Sequence, residues 1–214
     1  MLRTHFRLSP PILTETDCFW RCDLVFLVLV ATTSLTLTWT SCNHFPKTVL
    51  YLPLLWCGMA HAAAETILPE HCLEKLGQFH SPQSSTLKEM IPSKLANKEM
   101  LLLFATAAFG MGADVRDIRQ VIHITCPTSV ETYMQEIGRA GRDGKGGHAV
   151  LFVNRTDLAS VNVCEEMKQY CHTTECRREF LIKFFDHVSE DDSQQPCCDN
   201  CQILYDCEDV AIEY

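Results

Sequence analysis

Glycine is nearly absent from the first half of this chain: before Ala105 only Gly58 and Gly77 occur, nineteen residues apart and neither followed by lysine. A loop that cradles a triphosphate needs two glycines five positions apart and then a lysine, so the sequence contains no such cradle. Asp-Glu-x-His occurs nowhere, which removes the acidic box that would hold magnesium beside it. Lys and Arg are missing from Asp186 onward, where nine acids stand, so the formal net charge of −9 belongs to the tail and the rest of the chain is balanced. That balance excludes a strong, purely electrostatic polyanion binder but leaves room for a local polyanion surface upstream. Charge is also missing between Asp23 and Lys47, a stretch long enough to raise a membrane helix. Glu15, Asp17 and Asp23 precede it, against a secretory signal, and Ser/Thr alternate with Leu and Trp39 from Ser34 to Thr40 as in a strand. A buried segment is expected there and no membrane; an anchor through residues 24–46 is the alternative.

What is present describes a globular chain: 47% apolar and 21% charged residues over 214 positions, room for one domain with a small appendage. Of the 13 cysteines, six (Cys171, Cys176, Cys197, Cys198, Cys201 and Cys207) crowd the 37 residues from 171 to 207. Such uneven spacing fits a metal site in a reducing compartment better than a disulfide framework. Apolar runs of strand length stand at Lys47–Trp56, which Pro53 would end early, at Met100–Thr106, Gln120–Thr125 and His148–Val153. Helical spacing is expected over Met59–Gly77, Ser84–Leu95 and Val130–Arg142, the last capped by Ser129, and again from Asp157 to Phe185. Alternation of strand and helix predicts an α/β layer around a parallel sheet.

Seven of the nine glycines fall between Gly110 and Gly147, so the unusual backbone work is concentrated there. Within that window lies Gln135-Glu-Ile-Gly-Arg-Ala-Gly-Arg-Asp-Gly144. On a continuous helix Gln135, Arg139 and Arg142 share one face, and Gly138 and Gly141 keep bulk away from it. Two planar, permanently charged guanidiniums on such a face suit a transferring phosphoryl group. The bland alternative is an arginine pair bridged to Glu136 and Asp143 on a solvated helix; burial of both side chains in local ion pairs would remove the phosphoryl reading. Upstream, Ala105-Thr-Ala-Ala-Phe-Gly-Met-Gly-Ala-Asp114 follows an apolar run and offers backbone N–H groups to a phosphate, though Gly-x-Gly after a strand is often only a turn.

These two segments, with Cys176-Arg-Arg-Glu-Phe-Leu-Ile and Pro196-Cys-Cys-Asp-Asn-Cys201 downstream, resemble the RecQ form of the superfamily 2 ATP-dependent DNA helicases over roughly Gly77 to Cys201. The resemblance implies a RecA-like parallel-sheet lobe followed by a small helical zinc-binding module. It implies boundaries of 1–45 for an uninterpreted segment, 46–155 for the second helicase lobe, 156–207 for the zinc module and 208–214 for an acidic tail. By position, Arg142 looks like the arginine finger and Arg139 like its companion. Gln135, Thr106, Gly110, Gly112, Asp114, Gly138 and Gly141 look like the segments that couple nucleotide to DNA. Cys176, Cys197, Cys198 and Cys201 resemble the four thiolates of a closed structural zinc site; the alternative is unligated thiols, with Cys171, His172 and Cys207 as substitutes if one ligand is misplaced.

The implied activity is 3′-to-5′ unwinding of DNA at single-stranded/duplex junctions with ATP and magnesium, in nuclear DNA repair and recombination. The cradle and acidic box belong to the family's first lobe, so that lobe is expected to lie outside this chain, and the chain by itself is expected not to hydrolyse ATP. A catalytically inactive DNA- or protein-binding module is the alternative, and the region before residue 75 matches the family poorly.

Overall fold

The computed structural model describes residues 4–6, 45–110, 115–186 and 197–201. The strand expected at Ser34–Thr40, most of the uncharged stretch, Gly112, Asp114 and the acidic tail lie outside those residues. Among the described residues no helix is long and apolar enough to cross a membrane.

Six strands, β1 (Thr4–Phe6), β2 (Thr48–Tyr51), β3 (Leu76–Phe79), β4 (Leu102–Ala105), β5 (Gln120–His123) and β6 (Gly147–Leu151), form one sheet in the order β1-β6-β5-β2-β4-β3. Every neighbouring pair is parallel, as the α/β reading requires. The register places Leu103, Val49, Val121 and Ala149 side by side across four strands. Because side chains alternate along a strand, these residues face one layer while Leu102, Leu50 and Ile122 face the other. Apolar residues at consecutive positions are what a sheet covered on both faces demands.

Among the described residues the helices are α1 (Leu54–Ile67), α2 (Glu70–Leu73), α3 (Ser85–Ala96), α4 (Val130–Ile137), α5 (Arg155–Ala159), α6 (Glu165–His172) and α7 (Arg177–Phe184). One core takes Cys57, Ala60 and Ala64 of α1 and Cys72 of α2. The other takes Ile91 and Leu95 of α3 and Val130, Tyr133 and Ile137 of α4, and continues without a break into Met167, Tyr170, Leu181 and Cys198. The C-terminal helices therefore share the lobe's interior.

Local chemistry sets the boundaries. Pro53 stops β2 after Tyr51, and its carbonyl accepts from the amides of Trp56 and Cys57 at 3.0 Å each, opening α1. The expected strand through Trp56 is thus a four-residue strand and the start of a helix. Ser129 caps α4 by accepting from the Thr132 amide at 3.2 Å, as expected, and Asn154 and Asp157 form a reciprocal capping box on α5. Two expectations fail. Met59–Gly77 is not one helix: the chain leaves α1 at Ile67, and Leu76–Phe79 becomes the edge strand β3, paired with β4. A four-residue strand containing a glycine has too little local signal, and its partner β4 is what selects it. Val130–Arg142 is not one helix either, since α4 ends at Ile137 with Gly138 as its C-cap.

Tyr170 joins the two parts of the second core. It is 1% exposed and its ring lies 5.3 Å from that of Tyr133. Tyr170→Ala is expected to lower stability by roughly 3–5 kcal/mol, measured by urea unfolding; a loss under about 1 kcal/mol would show that the C-terminal helices do not depend on this contact.

Candidate functional site

A cleft of about 420 Å³ opens at the carboxyl ends of β2, β4 and β5, lined among others by Tyr51, Pro53, Thr106, His123, Cys126 and Glu136. Open α/β sheets bind ligands at this edge because the loops there leave the strands in diverging directions. Thr106, expected from the sequence, is half-buried in the wall, and Gly110 closes the 3₁₀ turn Ala107–Gly110 that follows it. The floor was not legible. His123, the last residue of β5, is 2% exposed, stacks on Tyr51 at 4.9 Å, and its Nε2 lies 2.7 Å from Oε2 of Glu136. A histidine closing an apolar strand was the available signal. Burial pushes the Tyr51 phenol well above its ordinary range, while the Arg139 guanidinium beside it pulls the other way.

The arginine segment is a turn. After Gly138 the backbone leaves the helix, Ala140 bridges to Ile118, and the Gly141 amide donates to the Ile118 carbonyl at 2.9 Å. Gly141 takes φ +72°, and a Cβ there would sit 2.6 Å from the Lys145 carbonyl. Gln135, Arg139 and Arg142 therefore do not share a helical face, and the glycines serve the reversal instead of clearing that face. Arg139 turns inward: it is 3% exposed and its guanidinium lies over the Phe109 ring at 5.1 Å, tying this turn to the one after β4. Arg142 and Gln135 are exposed, and Arg142 Nε donates to the Gly138 carbonyl at 3.0 Å.

The two acids of the bland alternative are engaged elsewhere. Glu136 is held by His123, and Asp143 by Arg119 in a two-pronged pair. Arg119 also holds the Asp143 carboxyl below its usual range.

At the other end of the second core, Cys176, Cys197, Cys198 and Cys201 bring their sulfurs within 4.8 Å of one another. The edges Cys176–Cys197, Cys198–Cys201 and Cys197–Cys201 measure 3.3, 3.4 and 3.9 Å. Four thiolates around zinc at about 2.3 Å leave sulfur–sulfur edges of about 3.8 Å, so the set fits a tetrahedral metal. Hydrogen bonds from Cys176 and Cys197 hold the Cys198 thiol far below its ordinary value, the bond with Cys176 pushes Cys197 up, and burial pushes Cys201 up to about 11.

The cluster is braced by residues not singled out from sequence. Arg177, 4% exposed, grips Asp199 through Nε at 2.7 Å and Nη2 at 3.1 Å and donates to the Tyr170 carbonyl at 2.9 Å. Asn200 donates to the carbonyls of Thr173 and Glu175 at 2.9 and 2.7 Å. The run Cys-Arg-Arg was the only sequence trace of this brace.

Comparison with known proteins follows the same division. The helicase conserved C-terminal domain matches residues 54–144, and the RecQ zinc-binding family matches residues 154–202. The chain is 30% identical to the ATP-dependent DNA helicase RecQ of Bacillus subtilis (strain 168), over 65% of this chain and 26% of that one. It is 35% identical to the ATP-dependent DNA helicase Q1 of Mus musculus, over 66% of this chain and 24% of that one. The chain belongs to the RecQ-like superfamily 2 helicases, of which it carries the conserved C-terminal domain and the zinc-binding region.

The helicase region spans about a quarter of the length of these curated relatives. Its fold is shared with domain 2 of the DEAD-box helicase Mss116p, solved on an RNA duplex (TM-score 0.55, 16% identity, 86% of this chain and 79% of that one). It is shared too with the Mycobacterium smegmatis helicase Lhr, solved with single-stranded DNA and AMP-PNP (TM-score 0.58, 16% identity, 84% and 22%). The RecA-like α/β lobe expected from sequence is thus present, with the zinc-binding region after it.

Gly141→Ala is expected to destabilise the helicase region by about 1 kcal/mol or more through the left-handed backbone. Gly146→Ala, whose added Cβ meets nothing within 4 Å, is expected to cost less. Chemical denaturation of the two variants compares them, and equal losses would show that the reversal is not strained.

Proposed function

We propose that this chain is the second motor lobe and zinc-stabilised brace of an ATP-dependent DNA helicase that moves 3′ to 5′. The observation that carries it is the division of labour in the arginine turn. Arg139 is anchored between Phe109 and Tyr51, Glu136 and Asp143 are engaged by His123 and Arg119, and Arg142 stands exposed beside them. An exposed guanidinium on a braced turn can reach the charge that spreads over the equatorial oxygens of a phosphoryl group held by another lobe. ATP and magnesium would be held mainly by that first lobe, because this sequence has no cradle for them. Thr106, Gly110, Gly112, Asp114 and Gln135, with Gly138 and Gly141 shaping the turn, would couple the nucleotide to DNA. The DNA-helicase names of the relatives and the cleft's position at those ends support this reading.

The test joins the chain to a RecQ-type first lobe and measures DNA-stimulated ATP hydrolysis and unwinding of duplexes with a 3′ or a 5′ tail. Arg142→Ala is expected to lower kcat roughly 10³-fold while DNA binding persists, and only the 3′-tailed duplex is expected to open. Unchanged hydrolysis in Arg142→Ala, or hydrolysis by the chain alone, would overturn the assignment.

Cys176, Cys197, Cys198 and Cys201 would hold one zinc ion, which supplies structural cross-linking and no open coordination position. Elemental analysis is expected to give one zinc per chain, and Cys197→Ser to lose it together with several degrees of Tm. Zinc-free protein that melts like the wild type would count against the site.

A further inference from the structure

Two thiols outside the metal cluster face each other where the lobe meets the C-terminal helices. Cys126 follows β5 and lines the cleft; Cys171 lies in the last turn of α6. Both are free and half-buried, and their sulfurs are 3.9 Å apart although the residues are separated by 45 positions. The segments that carry them are held together independently. The Cys164 amide at the start of α6 donates to the Thr128 carbonyl at 2.9 Å, and Tyr133 packs on Tyr170 beside the pair. A disulfide needs sulfurs at about 2.05 Å, so closing this gap asks for about 2 Å of approach by two side chains on a fixed frame.

We propose that Cys126 and Cys171 are a reversible disulfide site that staples the cleft wall to the zinc-binding region under oxidising conditions. The Cys126 hydrogen bond, more than any other influence, holds the Cys171 thiol below its ordinary value, and the same bond pushes Cys126 up. Attack by either sulfur leads to the same disulfide, and Cys171 attacking first illustrates the balance. With a peroxide as oxidant, the Cys171 sulfur attacks one peroxide oxygen, giving a sulfenic acid and hydroxide. Cys126 then gives its proton to that hydroxide, and its sulfur attacks the Cys171 sulfur and displaces the sulfenic oxygen as water once that oxygen is protonated. Two thiols and one hydrogen peroxide become one disulfide and two waters; a dithiol reductant returns both protons and both electrons. The staple would tie the wall that carries Cys126 to α6, whose core continues into the metal cluster, so the oxidised form should hold the cleft in one shape.

The experiment uses the whole zinc-loaded chain, treated with a small excess of hydrogen peroxide, then alkylated, digested without reductant and mapped by mass spectrometry, with zinc release followed by a chromogenic chelator. The expected result is a linked pair of peptides carrying Cys126 and Cys171, lighter by two hydrogens and abolished by dithiothreitol, with zinc retained. The oxidised wild type is expected to melt several degrees higher than the reduced form, a shift absent in Cys171→Ser. Recovery of both cysteines as alkylated thiols after oxidant has been consumed, or a link from Cys126 to Cys164 instead, would overturn the proposal. Because the mapping is done on the wild type, it decides the question even if the serine variant fails to fold.

Discussion

The left-handed backbone of Gly141 is the constraint on which the arginine segment depends. Its amide must reach the Ile118 carbonyl while the chain doubles back toward β6, and with φ at +72° only a residue without a side chain clears the Lys145 carbonyl. From that reversal the rest follows. Residue 139, before it, turns into the core over Phe109, and residue 142, after it, turns to the surface. Asp143 is drawn back onto Arg119, so the turn is sewn at both ends to the approach to β5. Two arginines three apart thereby receive opposite surroundings from one dihedral angle.

The same economy joins the lobe to its C-terminal helices. Tyr133, Tyr170 and Phe180 follow one another ring to ring, and Arg177 lies over the Tyr170 ring while gripping Asp199 next to the cysteines. A buried guanidinium with two carboxylate bonds and a carbonyl bond is satisfied where an unpaired one would be costly. The cysteine cluster is thus continuous, through packed aromatic residues, with α4 and the floor of the cleft. The core runs across residue 155, where the family resemblance implied a division between lobe and zinc module.

The sheet was readable because each central strand is buried on both faces, and such strands announce themselves as unbroken apolar runs such as Met100–Thr106. The caps Ser129 and Asn154 are equally local, but only Ser129 was anticipated. What was hidden depended on partners distant in sequence. Leu76–Phe79 is a strand because β4 lies beside it, and the end of α4 at Ile137 depends on Ile118 waiting to receive the Gly141 amide. The spacing of Gln135, Arg139 and Arg142 is as compatible with a helix as with a turn, so periodicity alone could not separate the two. Likeness to a family pattern singled out four cysteines whose sulfurs the fold brings within 4.8 Å of one another; Arg177 and Asp199, which pair beside them, carry no spacing of their own to betray them.

The opposite burial of the two arginines has an evolutionary consequence. At position 139 a lysine would bring a compact, strongly hydrated charge into a dry pocket and lose the flat stacking on Phe109; drift there is resisted by folding itself. At position 142 the side chain is exposed, with Nε donating to the Gly138 carbonyl, so replacement removes little buried packing. Under the phosphoryl-contact role proposed for Arg142, a lineage that no longer needed that contact would be free to change the second arginine long before the first, and which of the two has been kept in a given copy would record whether selection acts on that contact or only on shape.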